Sequence, residues 1–284
     1  MNPQKIAILT DSSAYMPQSA LEGLNVTVIP VWLIWGGERF RDGVDIDPST
    51  FYQRLKTSDT LPTSSQPSAG EFMTVFQKMA VEADAIVNVL VSSKISGTIA
   101  CAQAAQERLP DITMRTVDTF SSSMGLGLVV LAAARAVAAG KSLDEVVAVA
   151  EDVTSRLHLL FVVDTLEYLH RGGRITGGKR MLGTALQIKP ILHFKDGLIQ
   201  PLSQTRTKRK AIAQMLDIAE QRLGGKKMAE AAIVDVDVPE EGDKVAKMIE
   251  DRFSVPLIHR SGVSPVVGTH VGPGAIGLAF YAET

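Results

Sequence analysis

Cysteine occurs once in these 284 residues, at Cys101, so the chain has no internal disulfide and no cysteine-based metal site. Set among alanines, Cys101 reads as a small core residue. Aromatic residues make up only 5% of the sequence, too few for a surface that stacks nucleobases. A dominant charge is missing too. The 29 Lys and Arg against 31 Asp and Glu give a formal net charge of -2, which removes the basis for non-specific binding to nucleic acid or an anionic membrane. The longest greasy run, Leu126 to Ala139, is interrupted by Arg135 and is too short to span a bilayer. Met1 to Asp11 lacks the ordered basic, apolar and small-residue regions of a signal peptide and reads as a first strand. A cytoplasmic protein is expected, without a membrane span and with any membrane contact transient. Gly-x-Ser-x-Gly and His-Glu-x-x-His are absent, and Asp42, Asp45 and Asp47 lack the rest of an EF-hand loop. They read as a polar loop and a helix cap, and no metal is expected.

What is present is an ordinary globular balance, 45% hydrophobic and 21% charged. Ile6 to Leu9 and Val26 to Trp35 read as buried strands, and Ala85 to Val91 and Thr113 to Val117 as two more. Between them, Asp47-Pro48 opens a helix, Ser68 with Glu71 forms a capping box for another, and Thr98 to Arg108 forms a third. Two Ala-rich helices follow. This alternation predicts a parallel sheet with helices on its faces. The second half changes character. Leu157 to Val163 is strand-like, and Lys195-Asp196-Gly197 between apolar runs signals a hairpin. Helices at Lys208 to Leu223 and Glu240 to Phe253 flank a strand at Ala229 to Val236. The expected fold is α/β with two domains: an N-terminal parallel-sheet α/β domain over 1–156 and a C-terminal α+β domain over 157–284, with a ligand between them.

Three features bear on chemistry. Gly173 to Lys179 matches the Walker A spacing, but Arg180 stands where magnesium needs Ser or Thr, so the stretch reads as a Gly-rich connector. Hydroxyl-rich turns recur at Asp11-Ser12-Ser13, Thr63 to Ser68, Ser92 to Thr98 and Ser121-Ser122-Ser123. In a parallel sheet such turns gather at the C-terminal strand ends, where ligands bind, and helix N-termini there favour an anion. Single turns of this kind are ordinary caps. Among the histidines, His158 and His193 read as structural, and His170 and His259, beside arginines, as solvent-facing. His270 stands apart in Ser264 to Leu278, which reads as a rigid polar loop on the rim of an apolar strand. Such a histidine serves as an anion partner or as a base.

Taken in order, several segments resemble the DegV family of bacterial fatty-acid-binding proteins: Thr10 to Ala14, Asp42 to Ile46, Thr63 to Ser68, Ser92 to Thr98, Asp164 to Leu169 with Arg171 to Ile175, Lys189 to Leu192 and the His270 segment. The likeness runs from about Ile6 to Phe280. It implies a fatty acid between two α/β domains, its carboxylate at the interdomain cleft and its tail in an apolar tunnel. The implied head-group contacts are Ser64, Ser96 and His270, with Gly97 and Thr269 beside them and His270 protonated. The family pattern has threonine where Ser64 stands, so the hydroxyl is kept and a methyl lost. Tail contacts are expected among Ile95, Phe161, Leu186, Ile188, Ile276 and Phe280, with Val163, Ile191 and Leu278 as neighbours. Arg206 matches a basic position expected to meet phosphate or a partner. The resemblance further implies a carrier with no catalytic residue and no cofactor, which presents the fatty acid to a separate ATP-dependent fatty acid kinase and carries off the acyl phosphate. The competing reading is a hydrolase or phosphoryl transferase that uses His270 and Ser96 directly.

Overall fold

The computed structural model describes residues 4–176 and 188–284. The chain begins with β1 (Ile6–Asp11), β2 (Val26–Ile29), β3 (Trp32–Trp35), β4 (Glu38–Arg41), α1 (Pro48–Thr57) and β5 (Thr63–Ser65). Next come α2 (Ala69–Met79), β6 (Ala85–Leu90), α3 (Thr98–Gln106), β7 (Thr113–Asp118), α4 (Ser123–Ala138) and α5 (Leu143–Arg156). The rest comprises β8 (Leu157–Val162), α6 (Glu167–Arg171), β9 (Lys189–Lys195), β10 (Leu198–Thr205), α7 (Lys208–Leu223), β11 (Met228–Asp235), α8 (Pro239–Phe253), β12 (Ile258–Ser261), α9 (Pro265–Val271) and β13 (Ile276–Ala282).

Strands β2-β1-β6-β7 form a parallel sheet. Every residue of β6 is buried, as a strand covered on both faces requires. Phe72 and Phe76 of α2 and Ala102 of α3 pack on one face, and α4 and α5 on the other. Local chemistry sets the helix starts. Asp47 accepts from the Thr50 N–H at 2.9 Å, and full capping boxes open α2 at Ser68 and α5 at Ser142.

The expected single strand from Val26 to Trp35 is two. Pro30 lies between them, and its missing N–H and fixed φ break the ladder. The chain then leaves the parallel sheet, and β3 becomes the centre of a small antiparallel sheet, β4-β3-β5.

The third sheet runs β10-β9-β8-β13-β11-β12, antiparallel except for β11 against β12. Asp196 and Gly197 both take positive φ, 51° and 78°, at the tight β9–β10 turn. Helices α7 and α8 cover one face of this sheet. Its other face packs with α1, β3 and part of α4 into a shared core. The Gly- and Ala-rich α4 is therefore buried on nearly all sides, between the two larger sheets.

One ion pair spans that junction. Arg135 of α4 grips Glu230 of β11 through two N–H groups at 2.9 Å each. The Tyr281 hydroxyl donates to the same carboxylate at 2.8 Å, and His259 Nε2 lies 2.6 Å from it. His259 is thus buried, not solvent-facing. In a strand, sequence neighbours point to opposite faces, so Arg260 outside puts His259 inside. Among the described residues no helix is long and apolar enough to cross a membrane.

Candidate functional site

A cavity lies between the parallel sheet and the inward face of the six-stranded sheet. Its position follows from topology. Strand β1 has β2 on one side and β6 on the other, so connections diverge at the C-terminal ends of β1 and β6, the usual place for a ligand in an open α/β sheet. Asp11 and Val91 stand at those ends and line the cavity. The opposite wall is mainly apolar, formed by Leu159, Phe161, Phe194, Ile199, Val234 and Val236.

Strand alternation decides which residues form that wall. Leu159 and Phe161 of β8 face the cavity, whereas Leu160 and Val162 face α7 and α8. On β13, Gly277 and Ala279 pair with Phe161 and Leu159, and pairing puts them on the cavity side. A Cβ on Gly277 would sit 2.6 Å from Val234 Cγ2, so glycine keeps space open there. Phe280 pairs with His158 and is fully buried in the cluster under α7 and α8, so it is not a tail contact. Ile276 borders the cavity, but its side chain belongs to that same cluster, with Leu278 and Ile191. Of the other expected tail residues, Ile95 and Phe161 line the cavity, while Val163 and Ile188 do not. Leu186 lies outside the described residues.

One end of the cavity is polar. Ser64, in the middle of β5, places its Oγ 2.7 Å from His270 Nε2. His270 is in the last turn of α9, not on a loop. Ser264 caps that helix by accepting the Val267 N–H, and Pro265 occupies its first position. The same Xaa-Pro start is legible at Asp47-Pro48, but in the later segment it is masked by the glycines around it. Asp42 anchors α9 from below, accepting from the Ser12 hydroxyl at 2.6 Å and the Val266 N–H at 3.3 Å. Burial raises the Asp42 carboxyl to about 6 despite these hydrogen bonds and one from Ser264. It is therefore a buried tether between β4, the turn after β1 and α9, not part of an open polar loop.

Burial pushes the His270 imidazole down to about 4, and the nearby positive charge of Arg174 adds to this. With no anion beside it, His270 is neutral near pH 7, and a bound carboxylate would shift it back toward the protonated form. Its Nδ1 is buried without a hydrogen-bond partner among the described residues and faces Gly172, where an added Cβ would come within 2.2 Å of it. Arg174 lines the same end of the cavity. Its Nη1 donates to the Gly172 carbonyl at 2.5 Å and its Nε to the Ile95 carbonyl at 3.3 Å.

Ser96 also lines this end, with its Oγ 2.8 Å from Thr98 Oγ1. Gly97, at the start of α3, does not line the cavity. A Cβ on it would stand 3.1 Å from Gln66 Nε2, so its role is to let that amide approach. Thr269 does not face the ligand space, because its hydroxyl donates to the Pro265 carbonyl at 2.9 Å along the helix. Arg206 is exposed between β10 and α7 and does not line the cavity.

The family model described as "Uncharacterised protein, DegV family" matches residues 5–283. The chain belongs to the DegV family. A DegV domain-containing protein of Listeria innocua is 34% identical over 278 residues, 98% of each chain. The DegV protein of Bacillus subtilis is 31% identical over 276 residues, 97% of this chain and 98% of the relative. Among solved structures, a fatty-acid-binding DegV family protein from Thermus thermophilus superposes with a TM-score of 0.91 at 31% identity, covering 98% of this chain and all (100%) of that one. DegV of Bacillus subtilis, a fatty acid binding protein, gives 0.90 at 30% identity over 99% and 100%.

The DegV match spans both large sheets, so every wall of the cavity lies within it. Two of its polar residues, Gln66 and Arg174, escape sequence reasoning. Both fall inside segments that carry the DegV resemblance, but Gln66 reads as part of a capping loop and Arg174 as part of a basic connector. The Arg-Gly-Gly-Arg spacing is the available signal: Gly173 takes φ 68° and turns the chain after α6, which brings Arg174 back over His270.

Proposed function

We propose that this DegV-family protein binds a long-chain fatty acid, with the carboxylate among Ser64, Ser96, His270 and Arg174 and the tail against Leu159, Phe161, Phe194, Ile199 and Val234. The observation that carries this reading is the 2.7 Å Ser64–His270 pair, which joins residues 206 apart in sequence at a polar end of a mainly apolar cavity. The two structural units meet near Arg156, at the end of α5. Burial of each methylene contributes roughly 0.8 kcal/mol, so a long tail supplies ample gross affinity before ordering costs. The head group then needs only a few fixed donors.

The protein acts as a carrier, offering the carboxylate to a separate ATP-dependent fatty acid kinase and removing the acyl phosphate, with exposed Arg206 on the docking side. Against direct catalysis, Ser96 is bonded to Thr98 instead of a histidine, and His270 Nδ1 has no carboxylate to orient it. Mass spectrometry of an organic extract of the denatured protein is expected to release fatty acid. Lipid-free protein that also fails to bind added fatty acid would overturn the reading. Turnover of ATP and fatty acid by the purified chain alone, lost in His270→Ala, would replace the carrier with an enzyme.

A further inference from the structure

A second polar group lies on the wall of the same cavity: Asp11, Ser13, Ser122 and Ser123. It shares no hydrogen bond with Ser64, Ser96, His270 or Arg174. The turn after β1 packs against α4, which brings these residues to the start of that helix. Asp11 is fully engaged. One carboxylate oxygen accepts from the Ser13 hydroxyl at 2.5 Å and the Ser13 N–H at 3.0 Å, and the other from the Val91 N–H at 2.9 Å. Ser123 is not engaged. It is 5% exposed and lines the cavity, yet its Oγ has no hydrogen-bond partner among the described residues. Its φ of 51° is strained for a residue with a side chain. Helix α4 has sixteen residues and, among the described residues, no side-chain cap at Ser122, so its first N–H groups lack a side-chain acceptor.

An unbranched hydrocarbon tail laid over Ser123 would offer that hydroxyl no partner, which is unfavourable in a buried site. A second carboxylate is disfavoured by Asp11 on the same wall, since like charges oppose each other's ionisation. A neutral oxygen fits both constraints: it can accept from Ser123 or the α4 N–H groups and carries no charge.

We propose that the wall at the start of α4 is a second polar subsite, which takes a hydroxyl or keto oxygen carried on the acyl chain away from its carboxylate. The proposal rests on the fatty-acid reading, and its test separates the two. Binding of stearic acid and of a positional series of hydroxystearic acids is measured by calorimetry on delipidated wild-type protein and on Ser123→Gly. Glycine removes the hydroxyl and accepts the positive φ. At least one positional isomer is expected to bind wild type no more weakly than stearic acid and to lose about five- to tenfold in the variant, the worth of one neutral hydrogen bond. Stearic acid should bind the variant as well or better. The readout is a ratio of two ligands on one protein, so a general loss of stability cancels, and Ser123→Ala repeats it with a side chain retained. The subsite is refuted if every hydroxylated isomer binds wild type more weakly than stearic acid and the variant leaves that ratio unchanged, as a trapped water on Ser123 would produce. If stearic acid binds neither protein, the fatty-acid reading fails and the subsite with it.

Discussion

Phe161 and Phe280 are buried aromatics on neighbouring strands, and their side chains point to opposite faces of one sheet. Truncating each to alanine therefore separates folding from binding. Phe280 is fully buried among close-packed side chains under α7 and α8. Phe280→Ala removes its transfer free energy and leaves a void, a loss of about 3–5 kcal/mol. Against a total stability of about 5–15 kcal/mol this is severe, and it should move a urea midpoint by one molar or more. Phe161 already borders open cavity, so less of its removal creates a new void, and about 2 kcal/mol is expected from transfer alone. Its effect on ligand is the reverse. Two tail methylenes that lose their wall contact cost about 1.6 kcal/mol, or roughly fifteenfold in affinity. Urea unfolding of the lipid-free variants and fatty-acid titration at several chain lengths provide the two axes. Phe280→Ala should unfold easily but keep its chain-length preference, and Phe161→Ala should do the opposite. A changed chain-length preference in Phe280→Ala, with none in Phe161→Ala, would refute the assignment of faces and with it the position of the tail.

Ser64→Ala should weaken fatty-acid binding about tenfold, by loss of one hydrogen bond at the head group, and Ser64→Thr should restore it. Gly172→Ala should weaken binding at least as much, because the new methyl meets His270 Nδ1 at 2.2 Å and must displace the ring; ligand titration checks both variants. In the lipid-free protein His270 should titrate near 4 by NMR. Because the fold favours its neutral form, the unfolded chain binds the proton first: this site erodes stability as pH falls from about 6.5 to about 4, and not above. The Glu230 carboxyl has the opposite shift. Burial raises it, but hydrogen bonds from His259, Arg135 and Tyr281 outweigh that and hold it at about 2. Its stabilisation is complete above about 4.5 and lost as pH falls toward 2. Glu230→Gln should flatten the acid limb of a urea-midpoint-versus-pH curve in that range.

The sequence made the parallel sheet legible because its signals are local. Capping boxes at Ser68 and Ser142 and the fully buried run at Ala85 to Leu90 need no tertiary information. The hairpin at Asp196-Gly197 is equally local. The split at Pro30 was legible in principle, since proline cannot continue a ladder, but the apolar run on either side obscured it. The candidate site divides in the same way. Ser64, Ser96 and His270 lie at one end of one cavity, and they came from segment order, not from spacing. Phe280 falls on the wrong face, and Ile276 meets the cavity only at its border, because apolar character does not reveal which face of a strand meets a ligand. Only the pairing of Gly277 with Phe161 and of Phe280 with His158 fixes that parity. The charge on His270 was equally invisible, since it depends on burial by residues distant in sequence.

That neutral histidine bears on how a carrier of this kind would divide its labour. A fatty acid held by a strong ion pair would be bound at its head and have its carboxylate charge quenched. Here the imidazole is neutral before the ligand enters, the Ser64 and Ser96 hydroxyls are neutral, and Arg174 already spends two N–H groups on backbone carbonyls. On the proposed reading, affinity would come mainly from the tail, while the head group would set position and leave the carboxylate available to a kinase. A kinase that must bring the carboxylate oxygen into line with a phosphoryl group depends on that position within a fraction of an ångström. Substitutions at Ser64 or His270 should therefore reduce fatty-acid affinity by only about tenfold, the scale of single hydrogen bonds, and reduce phosphoryl transfer by a partner kinase far more. Equal losses in binding and transfer would mean that the head group anchors the ligand instead of aiming it.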